Sequence, residues 1–136
     1  MSNNIVTLLL GTNLGDKNNN LELAKSLINK EVGDILKYSN ILENEAVGFT
    51  SSNSFLNQKI EVYTTLSPIK VLKTVKSIEN LMGRTYTQPL EGENYVDRII
   101  DIDVLLFNNI SFFSSGLIIP HHQVVTREFV KELFFI

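Results

Sequence analysis

The sequence predicts an α+β fold in the order β-α-β-β-α-β, with a four-stranded antiparallel sheet and both helices on one face. Three observations carry that prediction. Apolar runs of strand length alternate with two longer stretches of helical periodicity. Turn chemistry separates them: Gly11-Thr-Asn-Leu-Gly15-Asp16, Gly33-Asp34 and Ser67-Pro68. The stretch 97–107, Asp-Arg-Ile-Ile-Asp-Ile-Asp-Val-Leu-Leu-Phe, is an apolar strand with two carboxylates built into it.

The elements follow in order. Residues 5–10 form a short apolar run, read as a buried strand. The glycine turn after it ends at Asp16, which, like Asn18, suits an N-cap. Leu21, Ala24, Leu27 and Ile28 then recur on one helical face over 21–30. Such a turn between strand and helix is either a plain tight turn or a site where backbone N–H groups meet an anion. Residues 35–42 read as a second strand and 55–66 as a third, antiparallel partners joined by a long loop over 43–53. Ser67 as N-cap and Pro68 at the first position open a helix carrying Ile69, Leu72, Val75, Ile78, Glu79 and Met82, which Gly83 ends. Residues 84–96 have no period and contain Pro89 and Gly92, a loop of the kind that closes over a site. After the acidic strand, Asn108-Asn109 marks a turn and 110–113 is expected to pair back as an edge strand. Thr126 suits the cap of a last short helix through residue 134. With this C-terminal hairpin and short helix added, the expectation is a ferredoxin-like fold in a single domain over 1–136.

Composition narrows the function. At 136 residues and 43% apolar content, with mean hydropathy +0.07, the chain can bury a real core. No apolar run approaches the roughly 20 residues of a membrane span, and the start lacks the pattern of a signal peptide. The absence of cysteine excludes disulfides and thiolate metal sites and is compatible with a reducing cytoplasm. A net charge of −3 gives no support to a nucleic-acid surface. The arginines Arg84, Arg98 and Arg127 all lie in the C-terminal half, and arginine offers a planar fork for phosphate.

The chemistry centres on Asp101 and Asp103. Residues i and i+2 of a strand share a face, so the two carboxylates project together while Ile100, Ile102 and Val104 face a core. Carboxylates beside a core need a counter-charge. A divalent cation or arginine supplies it, and Arg98 stands three residues upstream. The reading is a magnesium-phosphate site.

At this point the residues resemble a family, the 6-hydroxymethyl-7,8-dihydropterin pyrophosphokinases of folate biosynthesis. Gly11 to Gly15 resembles its opening turn, Val47-Gly48 with Phe55-Leu-Asn57 its pterin loop, and Ile78-Glu79 with Gly83-Arg84 the end of its second helix. Arg98-Ile-Ile-Asp101-Ile-Asp103 resembles its signature, and Pro120-His121 followed by Arg127 and Phe129 its closing segment. The resemblance implies transfer of the β,γ-pyrophosphoryl group of ATP to the hydroxymethyl oxygen of the reduced pterin, with AMP leaving. It implies two magnesium ions on Asp101 and Asp103, and Arg84 and Arg98 on the transferring phosphates. Glu79, Tyr95, Arg98 and Val104 would lie on the nucleotide side, as would His121, His122 and Arg127. Phe55 and Phe129 would stack on the pterin. The Asn57 side chain would read its polar edge, with backbone groups from Asn44, Glu45 and Val47 completing it. Taken singly, Phe55 and Phe129 suit a core and Glu79 a helix surface; the resemblance reverses those readings.

The chain departs from the family pattern at Tyr95, where a tryptophan is common, at Asn44-Glu45-Ala46, where Thr-Pro is frequent, and at Lys76, where a glutamine is frequent. The expected partners are ATP and the pterin alone, with the protein a monomer. A non-catalytic binding module of the same fold and a different magnesium-dependent transferase are the competing readings.

Overall fold

The structure is a computed structural model and describes residues 3–44, 54–83, 99–108, 112–113, 116–120, 133 and 135, with Asn44, Phe112 and Phe113 described by their backbone. The elements run β1 (Asn4–Thr12), α1 (Lys17–Glu31), β2 (Gly33–Asn44), β3 (Phe55–Thr64), α2 (Pro68–Leu81), β4 (Asp101–Phe107), β5 (Phe112–Phe113) and β6 (Ile118–Ile119). The first four strands form one antiparallel sheet in the order β2-β3-β1-β4. This is the expected α+β arrangement.

Strand β1 is central because it is apolar on both faces. Val6, Leu8 and Leu10 point to the side where Leu21, Ala24 and Ile28 of α1 and Val71, Val75 and Ile78 of α2 pack, so both helices cover the same face. Leu9 points to the opposite face and packs with Leu105 and Leu133. The face that carries neither α1 nor α2 is the open face.

The helix starts use the expected chemistry. Asp16 accepts from the Asn19 amide at 3.2 Å, and Ser67 accepts from the Lys70 amide at 3.2 Å with Pro68 following it. The helix α1 begins at Lys17, four residues before the first periodic leucine, because the cap decides the start and the apolar stripe does not. Gly33 then makes the sharp entry into β2: a Cβ there would collide with the Tyr63 carbonyl across the ladder. Only glycine allows that approach.

Several details differ from expectation, among them β2, which takes in Gly33-Asp34 and runs through Asn44 where a turn and a loop were expected. Gly11 and Thr12 belong to β1, paired with Asn57 and Leu56 of β3, rather than to a turn. In β4 the pairing jumps from Leu8 with Val104 to Thr7 with Leu106, leaving Leu105 as an extra residue. That bulge turns Phe107 into the helix-side core, where simple alternation would have placed it on the aspartate face. Residues 112–113 pair with Ile118–Ile119 in a separate two-stranded sheet and not with β4. The last helix expected after Thr126 falls outside the described residues except at Leu133, which is not helical. Phe135 instead makes an antiparallel bridge to Ser39 of β2. No described helix is long and apolar enough to cross a membrane.

Candidate active site

Asp101 and Asp103 sit on β4 as the two-residue period requires. Both are half-buried and point to the open face, while Ile100, Ile102 and Val104 are 0–3% exposed on the helix side. Two residues along a strand set their Cα atoms about 6–7 Å apart. The pair is reinforced from the edge. β4 is the outer strand of the sheet, so its outward backbone groups have no strand partner among the described residues. Glu79 of α2 fills that gap: its Oε2 accepts from the Ile102 amide at 2.8 Å, and its other oxygen lies 3.4 Å from the Lys76 ammonium. Glu79 is wholly buried and Lys76 about half exposed. Glu79 was expected on the nucleotide side; its described contact is with the strand that carries the aspartates. The missed signal is its position, because it falls on the same helical face as Val71, Val75 and Ile78.

Across the sheet from Asp101 lies a gap. Asp101 pairs with Gly11 of β1, and Gly11 pairs with Asn57 of β3. The three form one row, spanning roughly 10 Å at two interstrand spacings. Gly11 has no side chain, and a Cβ added there would stand 3.0 Å from Asn57 Oδ1. The Asn57 amide therefore reaches over the glycine. It is only 6% exposed and makes no hydrogen bond to a described residue. Its polar atoms are not sealed from solvent; among the described residues the one fully buried side-chain polar atom without a partner is Gln58 Oε1, next to it on β3. Phe55 is half-buried at the start of the same strand.

The loop between β2 and β3 is gripped at its ends. Lys17, in the first turn of α1, donates to the Ser54 carbonyl and hydroxyl, both at 3.2 Å, and Ser54 donates to Glu43 at 3.0 Å. The turn before α1 is a different matter. The Asp16 carboxylate already occupies the helix N-terminus, and buried Asn20 donates to Thr12 Oγ1 at 3.2 Å and to the Leu14 carbonyl at 2.8 Å. A capped, acidic turn is a poor anion site, so the plain-turn reading is the one the contacts favour.

The structure thus brings together Asp101, Asp103, Glu79, Asn57 and Gly11. Val104 was expected on the nucleotide side, but its side chain is 3% exposed in the core, which leaves only its backbone for a ligand. Arg84, Tyr95, Arg98, His121, His122, Arg127, Glu45, Val47 and Phe129 lie outside the described residues, as does the side chain of Asn44. Among the described residues no cluster of three or more metal-ligating side chains forms. The donor set still fits magnesium, which binds through one or two carboxylates and takes its remaining oxygens from water and phosphate.

Fold and site define a class, an α+β domain of ferredoxin-like topology whose edge strand carries paired carboxylates in one row with a side-chain amide. The family model for 7,8-dihydro-6-hydroxymethylpterin-pyrophosphokinase (HPPK) matches residues 7–135, and the chain belongs to that family. A 2-amino-4-hydroxy-6-hydroxymethyldihydropteridine pyrophosphokinase of Porphyromonas gingivalis is 39% identical over 128 residues, 93% of this chain and 86% of that protein. The Bacillus subtilis protein of the same name is 35% identical over 129 residues, 94% of this chain and 74% of that one. A crystal structure of Plasmodium falciparum HPPK-DHPS superposes with a TM-score of 0.67 at 20% identity, covering 83% of this chain. That likeness concerns the fold, and this chain spans 31% of the Plasmodium chain.

Proposed function

We propose that this chain transfers pyrophosphate from ATP to the hydroxymethyl group of 6-hydroxymethyl-7,8-dihydropterin, giving the pterin diphosphate and AMP in tetrahydrofolate biosynthesis. Family membership supports the reaction. The observation that carries the placement is the row Asn57, Gly11, Asp101. One end of the row suits a heterocycle's hydrogen-bonding edge and the other suits metal-bound phosphates, and the glycine between them leaves room for the Asn57 amide.

In this reading Asn57 pairs with the pterin edge, together with backbone groups of Asn44, Glu45 and Val47. Phe55 and Phe129 stack on its faces. Asp101 and Asp103 hold two magnesium ions against the ATP phosphates. Bound there, magnesium neutralises phosphate charge and aligns the attacking oxygen with the β-phosphorus. Arg84 and Arg98 grip the transferring phosphates with charge-assisted bonds. Tyr95, His121, His122 and Arg127, with the backbone of Val104, hold the rest of the nucleotide. Glu79 keeps β4 in register at Ile102, between the two ligating positions. Chemistry then rests on positioning: the hydroxymethyl oxygen bonds to the β-phosphorus, and the bond to the α-phosphate oxygen breaks. The protein works as a monomeric single domain in the cytoplasm, without nucleic acid or membrane.

The test is product identity. Protein incubated with ATP, magnesium and the reduced hydroxymethylpterin should yield AMP and pterin diphosphate. ADP as product, or binding of both ligands without turnover, rejects the proposal.

A further inference from the structure

β2 carries one residue more than β3 in the stretch that leads to Asn57. Tyr38 stands opposite Ile60 and Ile41 opposite Gln58, so Ser39 and Asn40 together face Lys59. From there the ladder runs Leu42 with Asn57, Glu43 with Leu56 and Asn44 with Phe55. The extra residue decides what lies beside Asn57. Without it the end of β2 would slip by one, and Ile41 would stand opposite Asn57 in place of Leu42. A slip of one residue turns every side chain to the other face. Leu42, which packs on the open face against the cluster of Leu9, Leu105 and Leu133, would turn toward the helices, and Ile41 would take its place.

Two buried side chains hold this bulge. The Ser39 hydroxyl accepts from the Lys59 amide at 2.8 Å and donates to the Asn40 carbonyl at 2.7 Å. The Gln58 side-chain nitrogen donates to the Ser39 carbonyl at 2.8 Å. Backbone groups at the irregularity thus find their partners in side chains, as buried backbone groups outside a regular ladder must. Ser39 is 0% and Gln58 2% exposed. Gln58 gives its bond at a cost, because its Oε1 is fully buried without a hydrogen-bond partner among the described residues. An apolar side chain of the same length would avoid that cost, so what the amide contributes is the bond to Ser39.

We propose that Ser39 and Gln58 are positioning residues: together they lock the register of β2 on β3, and so fix the Leu42–Asn44 end of β2 beside Asn57 and Phe55, where the pterin's polar edge is read. The last clause rests on the functional reading above.

Ser39→Ala and Gln58→Met each remove one part of the lock. Cross-strand proton NOEs between Leu42 and Asn57 and amide exchange at 41–44 report on the register. Pterin titration in the presence of magnesium and a non-hydrolysable ATP analogue reports on the site. One hydrogen bond lost is worth roughly tenfold. Each variant should weaken the Leu42–Asn57 NOE, speed exchange at 41–44 about tenfold and weaken pterin binding about tenfold. Exchange at Leu8 and Leu10 of β1 and affinity for the ATP analogue alone should change by about twofold at most. A merely structural role would speed exchange across the sheet and weaken both ligands alike, and that result overturns the proposal. So does an undisturbed register in both variants, or a disturbed one with normal pterin affinity. In wild type the Lys59 amide should exchange as slowly as those of Leu8 and Leu10; fast exchange there overturns the lock even where a variant fails to fold. A wild-type protein that binds the ATP analogue but no pterin rejects the functional reading instead, and the NOE and exchange data then decide the lock alone.

Discussion

The Glu79 carboxylate accepts a hydrogen bond from the Ile102 amide at 2.8 Å, wholly shielded from solvent and between the two aspartates of β4. A helix side chain thus fixes the backbone that aims Asp101 and Asp103. Glu79→Ala leaves a buried amide without its partner and should cost about 1–3 kcal/mol of stability. It should also lower kcat, because the carboxylates lose their alignment. Glu79→Gln keeps an acceptor and should recover most of both. Denaturant unfolding and steady-state kinetics check this; equal kcat in Glu79→Ala and wild type would detach Glu79 from the site.

Asp101 and Asp103 are half-buried on the open face and belong to neither apolar core cluster. Asp103→Ala should therefore fold normally and lose turnover by on the order of 10³-fold or more. The loss should appear in kcat and in the magnesium dependence. Wild-type turnover in this variant would exclude the metal role.

The Asn57 amide is buried and makes no hydrogen bond to a described residue. Replacing it by an apolar residue of similar size breaks no described hydrogen bond. Asn57→Leu should melt at the same temperature as wild type or higher, yet bind pterin on the order of 10²-fold more weakly. Calorimetry on both properties is decisive, since a residue kept for stability would show the opposite order.

Gly11→Ala tests the gap itself. The new methyl would stand 3.0 Å from Asn57 Oδ1 and displace it. Overpacking of this kind costs about 1–3 kcal/mol, so the KM for pterin should rise roughly tenfold. The KM for ATP should stay near wild type. A similar rise for both substrates would place the glycine in general packing.

Lys59 gives a pH signature. Its ammonium is lowered by burial from the ordinary 10.5, so the folded protein releases this proton more easily than the unfolded chain. Just below pH 10.5 the unfolded state binds more protons, and stability attributable to Lys59 rises with pH through that window. Wild type should therefore gain on Lys59→Met as pH approaches 10.5. A constant difference in unfolding free energy across that range would contradict the burial.

Much of this was legible in the chain because its signals are local. Asp16, Ser67 and Pro68 mark helix starts through chemistry within one turn, and the Asp101/Asp103 face follows from a period of two. The failures are long-range. Nothing near Leu105 announces the bulge that sends Phe107 into the core. The 112–113 segment was expected to extend the sheet, but the outer edge of β4 is taken by Glu79 at Ile102, a contact 23 residues apart in sequence. The row Asn57, Gly11, Asp101 needs two strand registers, which no single stretch encodes. The contact of Lys59 with Leu133, 74 residues away, left no trace in either neighbourhood.

In the proposed site, one row of the sheet sets the pterin beside the metal-bound phosphates. Manganese in place of magnesium, with a non-hydrolysable ATP analogue and bound pterin, measures this through paramagnetic relaxation of the pterin's hydroxymethyl protons. The row predicts strong relaxation, corresponding to a separation under roughly 10 Å, and its loss in Asp103→Ala. Bound pterin with unrelaxed hydroxymethyl protons would contradict it.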